Sequence, residues 1–157
     1  WRTPNARYQA HGLYLPSLRE NTLGRIAILC DTSGSMDETS LGFARGIVES
    51  VIEECKPASV DLYYVDAAVC GHDHFEQGEP LDWRPSAGGG TDFTTFFAEI
   101  EKSDEQPICI IGISDLQATF PASEPEVPVL WLVTPNPYAW APSNVQAPWG
   151  ETVNLEV

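Results

Sequence analysis

The order of apolar and polar stretches along the chain predicts β-strands that alternate with α-helices. Short, β-branched apolar runs predict strands at residues 25–30, 60–65, 108–113 and 127–133, and a weaker run predicts an edge strand at residues 152–157. Apolar side chains recur at helical spacing over residues 37–55, and Pro57 ends this helix. A shorter helix is predicted over residues 93–102.

Two connections refine this pattern. The strand at residues 60–65 is expected to turn around Asp66 into a further strand that runs toward Phe75, which makes a β-hairpin. The proline-rich connection before residue 127 is too short for a full helix. We therefore expect an α/β fold with a Rossmann-like, three-layer architecture. Its central sheet would be mostly parallel, with about six strands and one antiparallel hairpin or edge strand.

The length of the chain is sufficient for one domain. It has 157 residues, 43% of them hydrophobic, which can bury a core without cross-links. We expect this domain to cover residues 25–157. Residues 1–24 show no clean period, so they are expected to form an arm on the domain, a remnant of the linker from a missing upstream domain. The chain begins at Trp1 and its only methionine is Met36, which also favours a natural start further upstream.

Acidic residues dominate the charge of the chain. The formal net charge is −15 and only eight residues are lysine or arginine, so we expect neither nucleic acid nor an anionic membrane as partner. No run approaches the ~20 apolar residues that span a bilayer, and we expect a cytoplasmic protein. The four cysteines are expected to be free thiols. A disulfide between Cys30 and Cys109 is conceivable because their strands are expected to be neighbours.

Oxygen-bearing side chains occur at three places that a parallel sheet would bring together. They are Asp31, Ser33 and Ser35 after the first strand, Thr91 after three glycines, and Asp115 after the strand at residues 108–113. Such sheets bind ligands beyond the carboxyl ends of the strands, where the strand order reverses. Hard carboxylate and hydroxyl oxygens suit Mg²⁺, with Mn²⁺ or Ca²⁺ as alternatives. We predict a divalent-cation site with supporting roles for Asp66 and Asp92, the latter as a cap of the short helix.

Other chemistries fit these residues less well. Taken alone, the turn that begins at Asp31 is better explained as a helix cap, and only Thr91 and Asp115 in the same chain order favour the metal site. A phosphoryl-accepting aspartate of the Asp-x-Asp type would need an acid where Ser33 stands, and Ser33 and Ser35 lack the turn and histidine partner of a serine hydrolase. A hydrolase that uses the same cation to activate water stays open as the rival hypothesis, although no general base is evident beside the ligands.

A second group of metal-type ligands lies on the predicted hairpin. Cys70, His72 and His74 alternate, so a strand would direct all three to one side, where zinc or copper could bind. No fourth ligand is evident, and an exposed polar hairpin is the favoured interpretation. Two tryptophans of the late proline-rich loop, Trp140 and Trp149, are candidates for a recognition surface.

The five-residue set resembles the metal-ion-dependent adhesion site (MIDAS) of von Willebrand factor A (VWA) domains. That site has Asp-x-Ser-x-Ser after a strand, a threonine from a later loop and an aspartate that ends a later strand. All five positions match in chain order, and the likeness spans roughly residues 25–133. It implies that the hydroxyls bind Mg²⁺, that the aspartates act directly or through water, and that a partner's Asp or Glu fills an open position. One departure is Leu116, where the family commonly has glycine.

A narrower resemblance concerns the whole chain. Five segments are similar to the carboxy-terminal VWA-like module of bacterial metallopeptidase-like proteins: Trp1-Arg-x-Pro-Asn5, Tyr14-Leu-Pro16, Val65-Asp-Ala-Ala-Val69, Gly88-Gly-Gly-Thr-Asp-Phe93 and Val129-Leu-Trp131. This likeness implies a missing upstream domain with a separate zinc site, and association with AAA-type ATPases. Residues and resemblance together predict a non-enzymatic, divalent-metal-dependent module that binds an acidic residue of a partner protein.

Overall fold

A computed structural model describes residues 23–85, 88–136 and 145–156. The elements within these ranges are β1 (Ile26–Asp31), α1 (Glu38–Cys55), β2 (Ser59–Val65), β3 (Val69–Glu76), α2 (Thr94–Lys102), β4 (Cys109–Ser114), β5 (Val129–Val133) and β6 (Glu151–Asn154). Each predicted strand and helix is present, and the last strand is shorter than predicted. The predicted arm, apart from its last two residues, and Trp140 lie outside the described residues.

All six strands form one sheet in the order β3-β2-β1-β4-β5-β6. Neighbouring strands are parallel except β2 and β3, which form the predicted antiparallel hairpin. β1 and β4 are adjacent, and their register pairs Cys30 with Ile113. The strand order therefore reverses between β1 and β4, and the residues that follow these two strands emerge at the same edge of the sheet.

Helices cover both faces of this sheet. α1 packs through Ala44 and Val48 into the cluster that contains Ile28, whereas α2 packs through Phe96 and Ile100 into the cluster on the other face. Successive residues of a strand point to opposite faces, and β1 is buried along its whole length because both faces are covered. The three-layer α/β architecture predicted from the sequence is confirmed.

A glycine sets the packing between β4 and β5. A β-carbon at Gly112 would lie 2.3 Å from Cε3 of Trp131, which is fully buried. The indole of Trp131 packs on Phe93 and Phe120, with ring centroids 5.5 and 5.4 Å away. Only a residue without a side chain leaves space for this ring, so the aromatic cluster depends on glycine at position 112.

The register also decides the state of the cysteines. All four are free thiols, as predicted. Cys109 lies beside Ile26, not beside Cys30, so four residues of strand, about 13 Å, separate the two cysteines along the sheet. A disulfide between them is therefore excluded, because bridged cysteines have α-carbons within about 7 Å.

Neither helix of the described ranges has the length and apolar content that crossing a membrane requires.

Candidate metal centre

The carboxylate of Asp31 is held rigidly at the end of β1. Its residue is fully buried. Oδ1 accepts a hydrogen bond of 2.9 Å from the backbone N–H of Ser33, and Oδ2 accepts one of 2.6 Å from the hydroxyl of Ser114 on β4. The carboxylate therefore bridges the two strands at which the sheet order reverses, and two donors fix its orientation.

Burial and a second carboxylate make the charged form of Asp31 costly in the absence of a cation. Burial raises the pKa of Asp31 above its ordinary value, the hydrogen bonds from Ser114 and Ser33 offset part of that rise, and the charge of Asp115 adds to it. No basic side chain forms an ion pair with either aspartate within the described residues. Two buried acids without a cation create a potential that favours a bound positive ion.

The two serines bring their hydroxyls together beside Asp31. Oγ of Ser33 and Oγ of Ser35 are 3.1 Å apart. The turn between them is closed by a hydrogen bond of 3.1 Å from the N–H of Met36 to the carbonyl of Ser33. Both hydroxyls therefore lie on one side of the turn.

The glycine-rich loop that carries Thr91 is fastened to the same edge of the sheet. The N–H of Gly88 donates to the carbonyl of Thr32 (3.0 Å), which directly follows Asp31, and the N–H of Asp92 donates to the carbonyl of Asp66 (2.7 Å). The carbonyl of Thr91 accepts from the N–H of Thr119 at 3.0 Å. The hydroxyl of Thr91 makes no hydrogen bond within the part of the chain that the structure describes.

Asp66 and Asp92 make contacts that hold this loop. A β-carbon at Gly88 would lie 2.6 Å from Cβ of Asp66, so the loop passes directly over that residue. Oδ1 of Asp92 accepts from the N–H of Thr94 (2.9 Å) and from its hydroxyl (2.6 Å) at the start of α2. Neither aspartate hydrogen-bonds to the serine pair within the described residues, and their supporting roles at a metal site stay a prediction.

Asp115 is fixed by its neighbours after β4. It is 1% exposed, its Oδ1 accepts from the N–H of Gln117 (3.0 Å), and its Oδ2 accepts from the side-chain amide of Asn136. The next residue, Leu116, has a φ of 62°, in the left-handed region. This conformation costs a non-glycine residue roughly 1–2 kcal/mol. Leu116 is only 7% exposed, and burying its side chain offsets that cost.

Two residues of this edge were missed by the sequence reasoning. Ser114 donates to Asp31 and also accepts from the N–H of Leu116 (2.9 Å), so one hydroxyl orients the first aspartate and the loop of the second. Asn136 contacts Asp115 from the segment after β5. The sequence did contain a signal for Ser114, because a polar residue at the end of an apolar strand needs a hydrogen-bond partner. The residues around Asn136 gave no indication of its contact with Asp115.

The donor set fits a hard cation better than a soft one. Within residues 23–85, 88–136 and 145–156, no three or more His, Cys, Asp or Glu side chains form a group that could hold a metal ion. The candidate set has two carboxylates and three hydroxyls, and Mg²⁺ accepts few protein oxygens because it retains several waters. The structure brings Asp31, Ser33 and Ser35 into direct contact, and it links Asp115 to them through Ser114 and Thr91 through its loop.

The histidines of the hairpin serve a different purpose. Nε2 of His72 and Nδ1 of His74 lie 2.8 and 2.9 Å from Oδ1 of the buried Asp61, and Nη1 of Arg25 lies 3.1 Å from its Oδ2. Burial alone would raise the pKa of Asp61, but these neighbours bring it below its ordinary value. Cys70 instead donates to the carbonyl of Tyr64. The favoured interpretation, an exposed polar hairpin, is confirmed, since both histidines are 40% or more exposed.

Comparison with known protein families gives a match over most of the chain. A family model described as a VWA-like domain (DUF2201) matches residues 26–156, which is the region that contains the whole sheet and all five candidate ligands. No curated protein and no solved structure matches the chain.

Proposed function

The chain belongs to the family of VWA-like domains, and on this premise we propose that it is a protein-binding module whose binding depends on a divalent cation, preferably Mg²⁺. The hydroxyls of Ser33, Ser35 and Thr91 would hold the ion. Asp31 and Asp115 would contribute directly or through water. When bound, the cation supplies a vacant, electrophilic position for a carboxylate of the partner.

The observation that carries the proposal is the pair of buried aspartates at one edge of the sheet. Asp31 and Asp115 are 0% and 1% exposed, and no basic side chain in the described ranges pairs with them. A buried, unpaired carboxylate is costly to ionise, and its retention beside two converging hydroxyls is explained if a cation offsets the charge. A purely structural role would be served equally well by a neutral residue.

The charge of the chain gives a physical reason for the dependence on metal. With a net charge of −15, the surface repels an acidic partner. A cation held at the rim reverses the sign of the potential at that one point, so only there would a partner's Asp or Glu be attracted. The partner class that the sequence resemblance implies is an AAA-type ATPase, and the cytoplasm is the compartment that we propose with it.

Titration calorimetry with MgCl₂ tests the cation site. We expect Asp31→Ala to abolish Mg²⁺ binding and to leave the far-ultraviolet circular dichroism close to that of the wild type. Asp104→Ala is a matched control, because Asp104 is an exposed acid that precedes β4, at the end of that strand opposite Asp115, and its loss lowers the negative charge equally. Equal Mg²⁺ affinity in the wild type and Asp31→Ala would overturn the proposal.

A pull-down from the source cell tests the partner. Wild-type protein should retain an AAA-type ATPase in the presence of Mg²⁺ and release it on addition of a chelator, whereas Ser33→Ala should retain little in either condition. Retention of the same partner by Ser33→Ala, or retention that survives the chelator, would contradict the dependence on the metal site.

A further inference from the structure

The opposite edge of the sheet carries a groove that the metal centre does not use. Its volume is about 630 Å³, and it lies between the end of α2 and the segment that leads into β5. The floor includes Phe97 and Ile100, each 2% exposed, and the half-buried Val127. Clefts that bind ligands usually have a volume of about 300–1,000 Å³, so this groove has the size of one, and its accessible lining is about equally polar and apolar.

Unpaired carboxylates surround this apolar floor. Glu101, Glu124 and Glu126 line the groove and are exposed, and none of them forms an ion pair or hydrogen bond within the described residues. No lysine, arginine or histidine is part of the lining, and Lys102 lies outside it. Glu101 also belongs to the last turn of α2, where the partial negative charge of the helix terminus adds to its own. The groove is therefore apolar at its base and negative at its rim.

A second cavity has a different charge pattern. That cavity, of about 580 Å³ beside the end of α1, is lined by glutamates but also by Arg45 and Lys56. Nε of Arg45 pairs with Glu49 at 2.8 Å. The second cavity is thus lined by charges of both signs. The charged side chains that line the groove are all negative, and none forms an ion pair within the described residues.

We propose that the groove binds a segment of a partner protein in which lysine or arginine alternates with aliphatic residues. Aliphatic side chains would cover the accessible parts of Val127, Pro125 and Pro128, and the basic groups would pair with the three rim glutamates. Lysine and arginine suit such a position because their apolar stems bury against the floor while the charge stays at the rim. The net charge of −15 draws a basic segment toward the domain from a distance.

This site is independent of the metal centre. The groove residues precede β4 and β5, whereas Asp31 and Asp115 follow β1 and β4. The six residues of β4 separate the two ends by about 20 Å. One domain can thus hold an acidic residue at one end and a basic segment at the other at the same time.

Fluorescence anisotropy with a labelled peptide of alternating arginine and leucine tests the proposal. The full chain should bind it in 50 mM NaCl and more weakly in 300 mM NaCl. Glu124→Gln/Glu126→Gln should weaken binding roughly fourfold, the effect of losing two exposed ion pairs of modest strength. Glu53→Gln/Glu54→Gln removes the same charge from the exposed face of α1, partly at the second cavity, and should change the affinity less than twofold.

Four results would overturn the assignment. Equal weakening in both double variants would mean that the peptide responds only to net charge. Equal binding of spermine, which has no aliphatic side chains, would show that the apolar contacts are not needed. Equal binding of the same peptide with glutamate in place of arginine would show that the basic groups are not needed. Tighter peptide binding in Arg2→Gln/Arg7→Gln/Arg19→Gln would assign the groove to this chain's own amino-terminal segment. Peptide binding that is unchanged by a chelator and by Asp31→Ala supports two separate sites, whatever the outcome for Mg²⁺.

Discussion

The three consecutive glycines before Thr91 allow a test of the candidate metal centre. Replacing each glycine in turn with alanine adds a single carbon atom to the loop. A β-carbon at Gly88 would lie 2.2 Å from Oδ2 and 2.6 Å from Cβ of Asp66, whereas one at Gly89 or Gly90 would meet nothing within 4 Å. None of the three has a positive φ, so alanine is not strained by the backbone at any of them. Gly88→Ala therefore has two built-in controls, Gly89→Ala and Gly90→Ala.

The size of the effect follows from these distances. The carboxylate of Asp66 can rotate away from a new methyl group, but its Cβ is fixed to the backbone. Ordinary contacts begin at 3.4 Å, so the loop must move by about 0.8 Å. A Mg²⁺ ligand tolerates a displacement of about 0.2 Å. If the Thr91 hydroxyl is a ligand, Gly88→Ala should weaken Mg²⁺ binding by about 10- to 100-fold, the usual effect of disturbing the residues that orient a ligand.

Calorimetric titration with MgCl₂ measures the effect for all three variants. Gly89→Ala and Gly90→Ala should stay within about twofold of the wild type. Asp66→Gly removes the obstructing Cβ, so adding it to Gly88→Ala should recover most of the lost affinity, which is a coupling between the two positions. Equal Mg²⁺ affinity for Gly88→Ala and its two controls would show that this loop supplies no ligand, and the role proposed for Thr91 would be refuted.

Three further predictions concern stability. Gly112→Ala forces a methyl group into the buried Trp131 ring and should lower the free energy of unfolding by about 2–3 kcal/mol in urea denaturation. The control, Gly42→Ala on the exposed face of α1, should be neutral or stabilising. Similar values for the two variants would contradict the packing described for β4 and β5. Ser114→Ala leaves the buried Asp31 carboxylate one donor short and the N–H of Leu116 without its acceptor. It should cost about 1.5–3 kcal/mol at pH 7 by the same assay, and a cost close to zero would contradict the role described for this hydroxyl. A hydrogen bond to Asp61, and a second one to Glu76, raise the pKa of His74 in the folded protein; His72 and Arg25 also face Asp61. The stabilisation by His74 is therefore complete below pH 6.5, the ordinary pKa of histidine. It is lost as the pH rises through the higher pKa of the folded state. The urea midpoint of His74→Gln should accordingly fall less between pH 6 and pH 9 than that of the wild type, and parallel curves would contradict the assignment.

The fold was accessible from the sequence because its main signals are local. Apolar runs such as residues 108–113 and the helical period of residues 37–55 reflect burial that each segment undergoes by itself. The adjacency of β1 and β4 was assumed and did not follow from the sequence; alternating strands and helices leave few arrangements, and this is one of them. The parallel pairing of β6 with β5 did not follow, since a strand of four residues carries no signal of its direction.

The candidate site was accessible only in part. Asp31, Ser33 and Ser35 lie within one turn, so their spacing carries information about their geometry. The contact of Asn136 with Asp115 joins segments that are distant along the chain, and its formation depends on where β5 ends. The hydrogen bonds of both hairpin histidines to Asp61 were missed for a related reason: the acid belongs to the neighbouring strand, and the register that brings it near is a property of the sheet.

Leu116 ties the rim of the domain to its interior. Its side chain belongs to the same buried cluster as Phe93 and Trp131, while its backbone directly follows the carboxylate of Asp115. A glycine at position 116 would let the loop move independently of the core. Because Leu116 packs in the aromatic cluster, movement of that cluster also moves the loop that carries Asp115. Local opening of that cluster on warming should displace the carboxylate before the sheet itself melts. Affinity at this edge would then decline at temperatures at which the domain as a whole is still folded.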